Sequence, residues 1–149
     1  MESFACSSSG QPQERSPTAV SIDPTTLSPA AVVTALCAEW RTGTPESIAE
    51  FFTEDAVYHN IPMEPFVGRA AILEFLRGFI GTFGGIDFDI HHQAVTGTIV
   101  MNERTDRFSL GDKQIELPVT GVFEVRDGRI AAWRDYFDMA PFTALQQGA

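Results

Sequence analysis

Two stretches far apart in the chain pair carboxylates with a cation and large aromatic groups, a combination suited to proton transfer. Asn102-Glu103-Arg104-Thr105-Asp106-Arg107-Phe108 and Ala131-Ala132-Trp133-Arg134-Asp135-Tyr136-Phe137 both read as extended segments, and on a strand alternate side chains share a face. Alternation therefore groups Asn102, Arg104, Asp106 and Phe108 on one face, and Ala131, Trp133, Asp135 and Phe137 on another. A carboxylate among aromatic rings is costly to ionise unless a cation or a hydrogen-bond donor faces it. Arg104 is a candidate for that partner. A third pair at the same spacing, Tyr58 and Asn60, stands on an earlier strand-like run. Singly, an Arg-x-Asp pair is most often an ordinary surface ion pair. Folded onto one concave sheet, the three pairs could converge, because buried charges need each other.

Other chemistries find little support. His91 and His92 are adjacent on an expected strand and so should face opposite ways, and His59 alternates away from Tyr58 and Asn60. The sequence holds no Cys/His cluster with zinc spacing, no glycine-rich phosphate loop and no Gly-x-Ser-x-Gly elbow. A site without cofactor or metal is expected. The net charge of −10, from 20 acidic and 10 basic residues, argues against nucleic acid or an anionic membrane as a partner. An uncharged ligand is more compatible. Cys6 and Cys37 do not suggest a disulfide framework. With no secretory pattern and no apolar run of membrane-spanning length, a cytoplasmic protein is expected.

The elements that would carry these residues follow from the order of the chain. Residues 1–26 are rich in Ser, Pro, Thr and Gln and are expected to be a disordered leader; residues 27–149 are expected to form one domain. Ser28-Pro29 signals a helix start, with an apolar stripe from Ala31 to Trp40 and an end at Gly43. Thr44-Pro45-Glu46 opens a short helix carrying Ile48, Phe51 and Phe52. A strand over Ala56–Asn60 follows, then a loop to Gly68. A third helix runs from Arg69 to Phe79 or Ile80, with Ile72, Phe75, Leu76 and Phe79 on one face. After Ile86 the pattern becomes strand-like over 86–95, 98–110, 114–125 and 129–137. Gly97, Gly111-Asp112 and Asp127-Gly128 link these strands as antiparallel neighbours. Pro118 implies a bulge or an unpaired N–H, and a short helix over about 141–147 ends the chain. The expected class is α+β: a curved, mixed and mostly antiparallel sheet wrapped over N-terminal helices. Phe108, Phe137 and Phe142, with Leu76, Phe79, Leu117 and Val119, are candidate walls of an apolar pocket.

Tyr58-His59-Asn60-Ile61-Pro62, Glu103-Arg104-Thr105-Asp106, Gly121-Val122-Phe123 and Trp133-Arg134-Asp135-Tyr136-Phe137-Asp138 together resemble the limonene-1,2-epoxide hydrolase family, in order and spacing, across about residues 28 to 145. The resemblance implies the cone-shaped α+β fold shared with nuclear transport factor 2-like proteins, ketosteroid isomerases and polyketide cyclases, and typically a homodimer. It implies an epoxide as substrate and a vicinal diol as product. Asp135 would be the base that deprotonates a water, and Asp106 the acid that protonates the epoxide oxygen. Arg104 would bridge them, and Tyr58 and Asn60 would hold the water with Asp135. Trp133 would be a pocket wall or a donor behind the site. Around Gly84-Gly85 the resemblance suggests a roomier pocket. The rival readings are a cyclase or isomerase on the same fold, which leaves an Arg-bridged carboxylate pair and a Tyr-x-Asn pair unexplained, or a non-catalytic binding or dimerisation module with an ion pair at its core.

Overall fold

Ser28 starts the first helix as its residue type suggests. In the computed structural model, which describes residues 27–147, its Oγ accepts the Ala31 N–H at 3.2 Å, and α1 runs from Pro29 to Thr42. The helix buries Val32, Val33, Leu36, Cys37 and Trp40. Thr44 and Ser47 cap each other's backbone N–H groups in a reciprocal box at the start of α2, Pro45–Ala49. That helix ends before Phe52, which instead opens β1, Phe52–Asn60. The third helix, α3, spans Arg69–Phe83, longer than its glycines suggest. An interior glycine costs a helix about 1 kcal/mol, and here Phe79 and Phe83 pack on each other and on Phe108 beyond Gly78. The expected leader, residues 1–26, lies outside the described residues. Among the described residues no helix is long and apolar enough to cross a membrane.

The segment expected as a loop before Gly68 contains a two-residue strand, β2, Phe66–Val67, paired with β1 through Val57 and Tyr58. Four long strands follow: β3 (Asp87–Thr96), β4 (Ile99–Leu110), β5 (Lys113–Arg126) and β6 (Arg129–Tyr136), and a last helix, α4, covers Ala140–Gln147. The strand order is β2-β1-β6-β5-β4-β3. β1 and β6 run parallel; all other neighbours are antiparallel. Class and architecture thus follow the sequence expectation of an α+β domain with a mixed, mostly antiparallel sheet. Along β4 and β5 burial alternates residue by residue, with the inner face packed under α1 and α3.

Bulges on β6 and β3 correct the simple alternation there, and a further register shift lies on β1 between Phe52 and Val57. Ala131 is the extra residue between the pairs Glu124–Ala132 and Val125–Ile130, so Ile130, not Ala131, is fully buried with Trp133. His91 is the extra residue between Ile90–Arg104 and His92–Glu103. A bulge flips the facing of every later residue on its strand. His91 and His92 consequently do not face opposite ways: both are exposed, bonding Thr105 Oγ1 and Glu103 on neighbouring outward positions of β4. At Pro118 the β4–β5 register is unshifted, and β6 partners begin only at Thr120. No bulge is needed there, because one flank of β5 is unpaired.

Candidate active site

Register assembles the polar residues into one row. Asn60 pairs with Asp135 across the parallel β1–β6 seam, Asp135 with Gly121, Gly121 with Asn102, and Asn102 with Gln93. The adjacent row sets Tyr58 beside Trp133 and Trp133 beside Phe123. Arg104 and Asp106 follow Asn102 at two-residue steps on β4, inward like it. Side chains from both ends of the chain thereby meet on one face. The parallel seam is what brings Tyr58 and Asn60 there; its backbone bonds continue past the strand, with Ile61 N–H donating to Asp135 O at 2.9 Å.

Arg104 is the centre of the group. It is 1% exposed, and Asp106, Asp135, Asn60 and Tyr58 are each at most 6% exposed. Its Nε donates to Asp106 Oδ1 at 2.7 Å and its Nη2 to Asp106 Oδ2 at 3.2 Å. The same Nη2 donates to Asp135 Oδ2 at 2.7 Å. Nη1 donates to Asn102 Oδ1 at 2.9 Å. The Phe88 ring lies 4.7 Å from the guanidinium carbon, a cation–π contact that favours the charge where water is excluded. The other oxygen of Asp135, Oδ1, accepts the Trp133 Nε1–H at 2.6 Å. The Tyr58 hydroxyl donates to Asn60 Oδ1 at 3.3 Å, and its ring stacks on Trp133 with centroids 4.4 Å apart.

Burial decides the charges. It pushes Asp106 up to about 7, against the pull of the adjacent Arg104, and it raises Asp135 as well, with Arg104 and Trp133 working the other way. Burial opposes the charge of Arg104, but Asp135 and Asp106 outweigh it and hold the guanidinium protonated. One cation between two buried carboxylates is electrically neutral when a single proton is shared by the pair, so the cluster stores a proton near neutral pH. The Tyr58 hydroxyl is likewise held well above its usual range by burial, and the Cys37 thiol is pushed to about 12. Neither ionises under ordinary conditions. Among the described residues no cluster of His, Cys, Asp and Glu is arranged to hold a metal.

A cavity of about 260 Å³ opens onto Tyr58, Asn60, Asp106 and Asp135. Of the expected wall residues, Phe79, Phe108, Leu117, Val119, Phe137 and Phe142 line it. Leu76 does not: it is fully buried in the core with Ile72. The apolar stripe of α3 is in fact two stripes, and Phe75, Phe79 and Phe83, at steps of four, form the one that faces the cavity. Trp133 is not a wall either; it lies behind Asp135 as a donor. Gly84 and Gly85 do not line the cavity, and Gly85 serves a close approach instead, since a Cβ there would collide with the Trp40 and Arg41 carbonyls. Trp40, Met63, Ile86, Phe88 and Met139 also line it. Sequence reasoning passed over these. Only Phe88 carried a signal, as an inward position of β3.

The family model of the limonene-1,2-epoxide hydrolase catalytic domain matches residues 28–147. The chain belongs to this family. It is 40% identical over 86 residues to epoxide hydrolase EphG of Mycobacterium tuberculosis, a match that spans 58% of this chain and 57% of that protein. Among solved structures, an M. tuberculosis LEH-like epoxide hydrolase superposes with a TM-score of 0.66 at 30% identity, covering 79% of this chain and 94% of the other. A SnoaL-like protein from Shewanella denitrificans has the same fold at 15% identity, with a TM-score of 0.71 and coverage of 81% and 98%.

Proposed function

We propose that the chain hydrolyses an apolar epoxide to a vicinal diol in one step, without a cofactor. The observation that carries this is the bridge: one buried guanidinium bonded at once to Asp106 and Asp135, both at the wall of an apolar cavity. Family membership and the relatives named for this activity support it. Asp106, the carboxyl held at about 7, is the acid and protonates the epoxide oxygen as the C–O bond breaks. Asp135 is the base. Water is a poor nucleophile until a base takes its proton, and an alkoxide is a poor leaving group until it receives one; each positioned group contributes about 10²–10⁴-fold.

Tyr58 and Asn60 orient the water. Tyr58 donates its own proton to Asn60 Oδ1, which leaves its oxygen free to accept and the Asn60 Nδ2 free to donate. A water that donates to Asp135 and Tyr58 and accepts from Asn60 keeps one lone pair for the epoxide carbon. The proton balance closes through the pair: Asp135 gains a proton, Asp106 loses one, and Arg104 touches both throughout. The aromatic walls select an apolar substituent and keep bulk water out. The working unit is proposed to be a homodimer, as the resemblance implies.

The test is diol formation from limonene oxide or cyclohexene oxide. Hydrolysis by the wild-type protein, and its near-complete loss in folded Asp135→Asn and Asp106→Asn variants, is the expected result. No diol from any of a panel of apolar epoxides, or full activity in either variant, would reject the reading.

A further inference from the structure

Asn102 shares the buried face with Arg104 and Asp106, yet it does not line the cavity and has no part in the proposed proton transfers. It is 2% exposed. Its Oδ1 accepts from Arg104 Nη1 at 2.9 Å, and Nη1 is the guanidinium nitrogen that neither carboxylate takes. Its Nδ2 donates to Gln93 Oε1 at 3.3 Å, and Gln93 Nε2 donates to Thr34 Oγ1 on α1 at 3.3 Å.

Two features of the fold serve this chain of bonds. The bulge at His91 shifts the parity of β3, so that Gln93 pairs with Asn102 and turns inward beside it. Without the extra residue Gln93 would face outward. Between Asn102 and Asp135 the row holds Gly121, whose missing Cβ leaves the space that Nη1 enters. A planar fork pairs with two carboxylates only when its rotation about the side-chain stem is fixed. Asp106 and Asp135 lie on the Nε and Nη2 side, and by themselves they pull the fork toward whichever of them is more negative during turnover.

We propose that Asn102 is a positioning residue for the epoxide-opening reaction, fixing the guanidinium of Arg104 from behind so that it bridges acid and base at once, with Gln93 holding Asn102 in place. The proposal rests on the acid–base reading of Asp106 and Asp135. Loss of the Asn102 acceptor leaves a buried Nη1–H unpaired, and the fork swings to recover a partner at the expense of one carboxylate. Because Asn102 does not touch the cavity, the effect falls on turnover and not on substrate binding.

Three variants and one spectrum test this. Asn102→Leu keeps the side-chain volume and removes the acceptor; kcat should fall by about 10- to 10²-fold, the scale of a misplaced catalytic group, while KM is nearly unchanged. Asn102→Asp restores an acceptor oxygen at the same place and should recover most of kcat. Its added negative charge favours protonation of Asp106 and Asp135, so the acidic limb of the pH–rate profile should move to higher pH. Gln93→Leu, at a half-exposed position, should lower kcat in the same sense but less, and it carries the test if Asn102→Leu does not fold. In ¹⁵N spectra the Nη1 and Nη2 signals of Arg104 should be distinct in the wild-type protein and merge in the Leu variants as the guanidinium rotates. That readout does not depend on activity, so an inactive wild-type protein would refute the reaction while the spectra still decide the positioning. Wild-type kcat in both Leu variants, or Arg104 signals that stay distinct in them, would overturn the proposal.

Discussion

Arg104 occupies the side-chain space of Gly121: a Cβ on that glycine would collide with Nη1 and stand 2.9 Å from Asp135 Oδ1. The glycine lies directly between Asn102 and Asp135 in the sheet, so the bridge from β4 to β6 crosses β5 only where β5 has no side chain. Gly121→Ala should therefore displace the guanidinium. Overpacking a core position typically costs about 1–3 kcal/mol; denaturant unfolding should show a loss of that order, and kcat should fall by at least about tenfold with the geometry disturbed. An alanine variant as stable and as active as wild type would mean that the close approach is unimportant.

Arg104→Lys separates charge from shape. The ammonium keeps the buried positive charge, so the protein should remain folded. It cannot form the planar fork across Asp106 while reaching Asp135, and turnover should drop by about 10²-fold. Steady-state kinetics beside a thermal melt measure both. Near wild-type turnover would reduce Arg104 to a neutralising charge.

The raised carboxyl of Asp106 predicts how stability depends on pH. Its folded value of about 7 lies above an unfolded value of about 3.9, so between those limits the folded state binds more protons. Its contribution is full below about pH 4 and is lost as pH rises through about 7. Asp135 is raised too and acts in the same direction. Melting temperature should fall as pH goes from about 5 to about 8, and Asp106→Asn should flatten part of that slope. Activity should fall over the upper half of the same range, because the acid must hold its proton. A wild-type melting temperature that rises over this interval would contradict a proton stored in the cluster.

Much of the site is legible in the sequence because strand alternation is a local rule. Arg104 and Asp106, Tyr58 and Asn60, and Trp133 and Asp135 can each be placed on a common face from spacing alone, and the helix starts at Ser28 and Thr44 follow from cap chemistry. Register across strands is not local. That Asn60 meets Asp135 depends on the parallel β1–β6 seam, which no neighbouring pair of residues announces. The bulges at His91 and Ala131 carry no glycine or proline to mark them, so plain alternation puts His91 and His92 on opposite faces and Ala131 inside. Leu76 reads as a wall because one apolar stripe on α3 serves two surfaces. Gly121 can be read as part of a motif; only the packed structure shows that its hydrogen makes room for a guanidinium.

In the proposed reaction water activated by Asp135 attacks the epoxide directly, with no ester formed on the protein. A single turnover in ¹⁸O-labelled water, with enzyme in excess over cyclohexene oxide, tests it most directly. The diol from this first turnover should carry one ¹⁸O, and the peptide containing Asp135 should carry none. Unlabelled diol together with ¹⁸O in a carboxylate of the protein would show a covalent ester and contradict it.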